Sequence, residues 1–479
     1  MNFLWYDYET SGRDPAFDRP IQIGWQRTDA ACQPITEAES RYIRLPDDVL
    51  PSPGAMMVHQ ILPEVHQRHG MSEAELVVLL DELITPNTWV AGYNSRAFDD
   101  RFTQHVFFRS LRDPYRWQYA QGRSRFDLYP VVLSFFVFHP EAILWPEDAD
   151  GRPRFKLDRL GPLNGLDQGI ERAHDAASDV AMTARLAERL ARENPDLFQE
   201  ALNRTDKHQV TELIRAEGRS HGLLEVTPFA GWSQGYARDV WIPFRLTERS
   251  NDYVAFDLNQ DPDVVLSALS DAVKITDPVE QRKQVRSIGA YTVRINAQPM
   301  LFRRNRVHPE TLKRLAEFGR DFERQQRHLD RWHQIQGSDL FKTLYQQAVV
   351  LFSEPTDGSE IGDVDGSLYR GGFLSDHDRN CLESGPLMDS EALKTWMPAF
   401  DDPRYGELVF RYRARNFPES LTPVEWKRWQ SIRRQKLTGS GPGVTIQTLQ
   451  AELIALGDQS LDSHHFDQLR QFSAWLDNQ

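Results

Sequence analysis

At 479 residues the chain is far longer than one hydrophobic core needs, so two or three domains are expected. Its formal charge of −14 argues against a generally basic, non-specific nucleic-acid binder, although a sum over the chain is silent about local grooves. Cys32 and Cys381 are too few and too far apart for a disulfide framework or a cysteine-rich zinc site, and point to a reducing compartment.

The chain runs from Met1 into Phe3-Leu4-Trp5-Tyr6 and then acidic residues, without the basic start, long apolar stretch and cleavage site of a secretory signal. No apolar run reaches membrane-spanning length. A soluble, cytoplasmic protein is expected.

The first third alternates strand-like segments (3–8, 21–27, 89–93) with helix-like ones (73–84, 176–193), an α/β pattern. Asp7 and Glu9 lie two apart in the first strand, so both carboxylates leave one face about 7 Å apart along the backbone. Like charges at the end of an apolar strand repel unless a cation lies between them, and hard divalent ions with oxygen ligands suit that place. A solvent-facing strand end is the competing reading of an isolated Asp-x-Glu.

The next segment, from Trp89 to Asp100, reads as a buried strand leading through Asn94 into the first turn of a helix. Asp99 or Asp100 there either serves a site or answers the helix dipole, and adjacency leaves the choice open. Further on, Ala173-His174-Asp175 precedes a helix with Val180, Ala184, Ala187 and Ala191 at three- and four-residue spacing, Asp175 as a candidate cap and Asp179 in its first turn. That helix stops at Asn194-Pro195, which sets a first boundary.

A second region, 200–350, shows β-rich pieces at 240–246, 253–258 and 291–295 and turns helical from about Pro309. Residues 354–367 lack apolar periodicity and read as an acidic linker, beyond which the chain looks mostly helical. Between Arg404 and Leu437 nine Lys and Arg stand against three Glu, and residues 303–331 hold nine basic and five acidic residues. Each stretch either tracks a nucleic-acid backbone or supplies ion pairs to the acidic remainder.

Three acidic segments at strand ends or helix starts, followed by a histidine, resemble the DEDDh exonucleases, with Asp7, Glu9, Asp99, Asp179 and His174 matching the family's five residues. Phe98-Asp99 fixes the register. Asp7-Tyr-Glu-Thr with Asp18-Arg-Pro, Gly92-Tyr-Asn, Asp113-Pro-Tyr and Ala173-His-Asp-Ala resemble the bacterial exonuclease I family more closely. So do Ile295-Asn296 with Pro299, Gly372-Phe373 with Ser375-Asp376, and the string from Tyr412 to Pro418.

The resemblance implies a ribonuclease-H-like exonuclease domain at 1–195, an SH3-like α+β domain at 200–350 and a helical C-terminal domain at 354–479. It implies processive 3′→5′ degradation of single-stranded DNA to 5′-mononucleotides, a role in DNA repair and recombination, contact with single-stranded-DNA-binding protein, and a monomer. Asp7, Glu9 and Asp179 are expected as direct ligands of two Mg²⁺ ions about 4 Å apart, with Asp99 acting through water and Mn²⁺ able to substitute. His174 is expected as general base, since an imidazole titrating near neutrality can take a proton and release it again.

Substrate contacts are expected from Glu9, from Lys156 where the family usually has an arginine on substrate phosphate, and from Tyr115 and Tyr119. Lysine keeps the charge but loses the bidentate fork. The aromatic group Tyr115, Trp117 and Tyr119 either stacks unpaired bases or packs against the core. An RNA-trimming exoribonuclease of the same superfamily and a non-catalytic DNA-binding scaffold are the rival functions; the long chain beyond residue 195 weighs against the first, and five filled active-site positions against the second.

Overall fold

Phe3, Leu4, Trp5 and Tyr6 are all buried, as an apolar strand covered on both faces must be. They form β1 (Asn2–Thr10), which pairs antiparallel with β2 (Pro20–Thr28) and parallel with β4 (Thr88–Gly92). With β3 (Glu39–Tyr42) and β5 (Ser124–Asp127) the sheet order is β3-β2-β1-β4-β5. The structure is a computed structural model and describes residues 1–169, 175–247, 249–352, 362–439, 443–457 and 463–476.

The chain divides into two compact units, neither continuous in sequence: Met1–Ser124, Leu166–Arg185 and Gly358–Gln479 form the first, Arg125–Gly165 and Leu186–Asp357 the second. In the first, the helices Glu73–Leu83 and Asp99–Arg109 cover the sheet, burying Leu76, Leu80, Phe102 and Val106 against Leu4, Tyr6, Ile23 and Val90. Ser72 and Glu75 close a capping box on the former, which is why it starts at Glu73. The helix Ala176–Glu193 begins after Asp175, as its spacing predicts.

The C-terminal part is helical, with Asp376–Glu383, Arg404–Asn416, Pro423–Thr438, Ile446–Gly457 and Ser463–Leu476 as its longer helices. It packs on the N-terminal part: Leu449, Leu469, Phe472 and Trp475 enclose Leu50 and Met56. Ser52 and the amide of Gly54 both donate to Oε1 of Glu452, at 2.9 and 3.0 Å.

The second unit is built on an antiparallel sheet of β6 (Leu223–Val226), β7 (Ala237–Arg245), β8 (Asp252–Asp257), β9 (Ala290–Arg294) and β10 (Met300–Arg303), in the order β10-β6-β7-β8-β9. One face packs helices around Trp332, whose ring stacks on Trp241 with centroids 4.7 Å apart.

The reading of 354–367 as a linker fails where it can be checked. Residues 354–361 lie outside the described residues, but Val364, Asp365 and Ser367 are buried, and Asp365 is 0% exposed. The segment lacks apolar periodicity because its turn is held by charge: Asp365 pairs with Arg19, Arg411, Arg415 and Lys436. Among the described residues no helix is long and apolar enough to cross a membrane, and neither cysteine is in a disulfide.

Candidate active site

β1 carries Asp7 and Glu9 on one face, opposite Gly24 and Gln22 of β2 respectively. A register irregularity after Glu9 ends the regular pairing. Asp179, in the first turn of Ala176–Glu193, completes a cluster: one carboxylate oxygen from each of Asp7, Glu9 and Asp179 lies within 4.8 Å of the others.

Asp99 joins from the other side of β1. That strand pairs with β4 only from Asn2 to Trp5, so the Tyr8 amide needs another acceptor, and it donates to Oδ1 of Asp99 at 3.1 Å. Asp100, equally buried, instead accepts the Tyr6 hydroxyl at 2.8 Å. The adjacent pair is thus divided, with Asp99 turned to the carboxylate strand and Asp100 to the core.

Burial and mutual repulsion shape the electrostatics of this cluster. Burial, then the charges of Asp99, Asp179 and Glu9, push the Asp7 carboxyl well above its usual range. Burial, Asp179, Asp99 and Asp175 do the same to Glu9. Each of these causes acts upward, so the cluster as it stands favours protons. Hard divalent ions fit it, since the donors are all carboxylate oxygens and their spacing lets one ion touch several.

Two residues that sequence reading passes over hold the helix bearing Asp179. The Gln22 amide bonds Asp175 and the backbone of Ala176, and a Cβ on Gly24 would lie 2.2 Å from the Ala176 carbonyl carbon. The available signal is Gln22 and Gly24, which share one face of β2 while Ile21, Ile23 and Trp25 take the other. His174 lies outside the described residues.

Of the aromatic group, Trp117 is core: it is buried, stacks on Phe107, and donates its indole N–H to the Pro114 carbonyl at 2.9 Å. Tyr119 is 64% exposed, and half-buried Tyr115 sets its ring edge-on to exposed Phe373. Both tyrosines line a small pocket with Phe373, Arg379 and Arg404. Asp113 shapes the turn before them, accepting the amides of Tyr115 at 2.9 Å and Arg116 at 3.1 Å and pairing with Arg379. Lys156 is exposed at the start of the helix Leu157–Leu163, in the second unit.

The basic stretch 404–437 resolves mainly toward ion pairing, since seven of its nine cations have carboxylate partners. Arg413 meets Glu425 at 2.9 Å, Arg415 meets Asp48 at 2.6 Å and Lys436 meets Asp48 at 2.7 Å. The string from Tyr412 to Pro418 is therefore structural. In 303–331, Arg303, Arg304, Arg320 and Arg331 also pair with carboxylates. A second carboxylate group, His377, Asp378 and Asp401, is occupied locally: Asp378 accepts the amides of Asp401 and Asp402 at 2.7 and 3.0 Å, and His377 Nε2 lies 2.8 Å from the Ala399 carbonyl.

Comparison with known proteins agrees with this architecture. The families described as Exonuclease, Exonuclease I SH3-like domain and Exonuclease I C-terminal domain match residues 4–187, 205–347 and 362–479 in turn. Exodeoxyribonuclease I of Escherichia coli (strain K12) is 32% identical over 446 residues, 91% of this chain and 90% of that protein. Among solved structures, a moderately thermophilic Exonuclease I from Methylocaldum szegediense superposes with a TM-score of 0.89 at 32% identity, covering 100% of this chain and 99% of that one. E. coli Exonuclease I in complex with a dA16 oligonucleotide gives 0.88 at 30% identity, with the same coverage. The order of a ribonuclease-H-like exonuclease domain, an SH3-like domain and a helical C-terminal domain, together with this identity over nine-tenths of both chains, shows that the chain belongs to the exodeoxyribonuclease I family.

Proposed function

We propose that the chain is a processive, metal-dependent 3′→5′ exonuclease that hydrolyses single-stranded DNA to 5′-mononucleotides. The observation that carries this reading is the convergence of Asp7, Glu9, Asp99 and Asp179 on one stretch of β1, in a chain whose relatives are named exodeoxyribonucleases. Its three domains correspond to residues 1–195, 200–350 and 354–479.

Asp7, Glu9 and Asp179 hold two Mg²⁺ ions, which Mn²⁺ can replace, and Asp99 contributes through water. Bound there, the ions supply an activated water and neutralise charge on the scissile phosphate. His174 takes the proton of the attacking water. Glu9 also contacts the substrate, Lys156 takes a phosphate, and Tyr115 and Tyr119 offer faces to unpaired bases. The metal reading draws support from a solved E. coli ExoI–ssDNA complex described as a zinc-ion-bound form, and from a cluster of oxygen donors that suits harder ions better than zinc.

The enzyme works in DNA repair and recombination in the cytoplasm, as a monomer that meets single-stranded-DNA-binding protein. A solved relative described as SSB/Exonuclease I, 31% identical, supports that partner. The test is Mg²⁺-dependent digestion of matched 5′-labelled single-stranded DNA, duplex DNA and RNA by wild type, Asp7→Ala and His174→Ala. Stepwise loss from the 3′ end of single-stranded DNA in wild type only is expected. Equal or better RNA cleavage overturns the substrate, and tight DNA binding without cleavage of any substrate overturns the enzyme.

A further inference from the structure

Asp7 and Glu9 stand on β1 while Asp179 stands on a helix, so the cluster exists only if that helix is held against the sheet. The carboxylates themselves oppose this, because Asp179 repels both Asp7 and Glu9. What answers the repulsion is on β2. Gln22, paired across the sheet with Glu9 and 2% exposed, donates from Nε2 to Oδ1 of Asp175 at 2.6 Å and accepts the Ala176 amide on Oε1 at 3.2 Å.

The Asp175 carbonyl in turn accepts the Asp179 amide at 3.1 Å, which closes the first helical turn. The neutral amide of Gln22 offers a donor and an acceptor in one planar fork, and at this depth water is a poor substitute. Two residues on, Gly24 lets the helix backbone rest directly on β2, where any Cβ would meet Ala176 and Ala177 at 2.2 to 2.6 Å. Gln22 fixes how far that helix start can withdraw and how it is rotated, and Gly24 how closely it can approach.

We propose that Gln22 is a positioning residue for the exonuclease site: it sets the placement of Asp179 opposite Asp7 and Glu9 and so the affinity of the cluster for divalent ions. This rests on the reading that those three carboxylates hold the metal. Hydrogen bonds that orient ligands from outside typically govern metal affinity by roughly 10- to 100-fold.

The experiment is Mn²⁺ titration of the full-length protein, followed by the electron paramagnetic resonance signal of the free ion, with folding of each variant checked by circular dichroism. Wild type is compared with Asp7→Ala, Gln22→Leu, Gln22→Glu, and Gln22→Glu combined with Asp175→Asn. Gln22→Glu loses the donor and sets two carboxylates together; the double variant restores a donor–acceptor pair in reverse. Expected are at least a tenfold loss of affinity per folded molecule in each single Gln22 variant and recovery of most of it in the double one.

The proposal falls if Gln22→Leu binds Mn²⁺ within twofold of wild type, or if the double variant is no better than Gln22→Glu. Should Gln22→Leu fail to fold, the Gln22→Glu pair decides alone. If wild type binds no Mn²⁺, or Asp7→Ala binds it equally well, the metal reading is what fails, and this inference with it.

Discussion

The backbone N–H of Tyr8, between the two acidic residues of β1, donates to Oδ1 of Asp99 at 3.1 Å. One carboxylate thereby ties the start of the helix Asp99–Arg109 to the strand while adding its charge to the cluster. Asp99→Asn keeps an acceptor for Tyr8 and removes the charge, whereas Asp99→Ala removes both. Both variants should lose most nuclease activity, and Asp99→Ala should be less stable than Asp99→Asn by about 1 kcal/mol in urea unfolding. Equal stability would mean that the tether contributes nothing.

Raised carboxyl pKa values make stability depend on pH in a known direction. Burial and neighbouring carboxylates make the folded protein hold protons on Asp7 and Glu9 that the unfolded chain releases. Without metal, their contribution to stability is fully present below the ordinary carboxylate range and is lost as pH rises through the raised values. Melting in EDTA should therefore show a midpoint that declines from pH 5 toward neutrality, and Mg²⁺ should reverse the decline. Asp7→Asn should flatten this dependence, raise the metal-free midpoint at pH 7.5 and abolish hydrolysis. A lower midpoint would contradict the electrostatic account.

Asp48 tests the charge network beneath the C-terminal helices. Burial raises its pKa, but Arg415 and Lys436 outweigh that and hold it, like Asp365, well below the usual range. Asp48→Ala leaves the buried Arg415 guanidinium undercompensated and should cost about 3–5 kcal/mol in denaturant unfolding. Here the pKa is lowered, so this network's contribution is present above the ordinary carboxylate range and fades as pH falls below it. A loss under 1 kcal/mol would show that Asp365 alone satisfies both cations.

The tyrosines after Asp113 differ enough in exposure to be separated. Tyr119→Ala should weaken binding of single-stranded DNA by about 1–3 kcal/mol, the worth of one stacked base, with little change in melting temperature. Trp117→Ala should do the opposite, since its ring belongs to the core. Binding measured by fluorescence anisotropy and melting by calorimetry distinguish them; unchanged DNA affinity in Tyr119→Ala removes that residue from the substrate path.

Much of the site was legible in the sequence because its logic is local. Asp7 and Glu9 declare a shared face by their spacing, and Asp179 announces its place at a helix start. The division of labour between Asp99 and Asp100 was not legible from spacing, because both stand in one helical turn and only the fold decides which side chain faces the Tyr8 amide and which the Tyr6 hydroxyl. Gln22 was invisible for a related reason: the partners through which it holds the helix, Asp175 and Ala176, lie more than 150 residues away.

Charge misled at 354–367. That run of carboxylates looks like a solvated linker, yet Asp365 meets Arg415 and Lys436 in the interior with Asp48, while the cations at 404–437 follow the ion-pairing reading, one of the two their charge allowed. Sequence patterns report apolar periodicity, and a turn buried by ion pairs has none. Strands β7, β8 and β9 of the second unit were readable because ordinary periodicity governs them, whereas the four-residue β6 and β10 were not picked out, and the C-terminal region was read only as mostly helical.

The first unit takes its residues from both ends of the chain. During synthesis β1 and its two acidic residues are made long before Arg415, Lys436, Leu449, Phe472 and Trp475. Until they arrive, Asp48 has no cation beside it, and Leu50 and Met56 have no cover. A chain that stops short of them should therefore expose an unfinished apolar face in the unit that carries β1, the kind of surface that exposes a folding chain to aggregation.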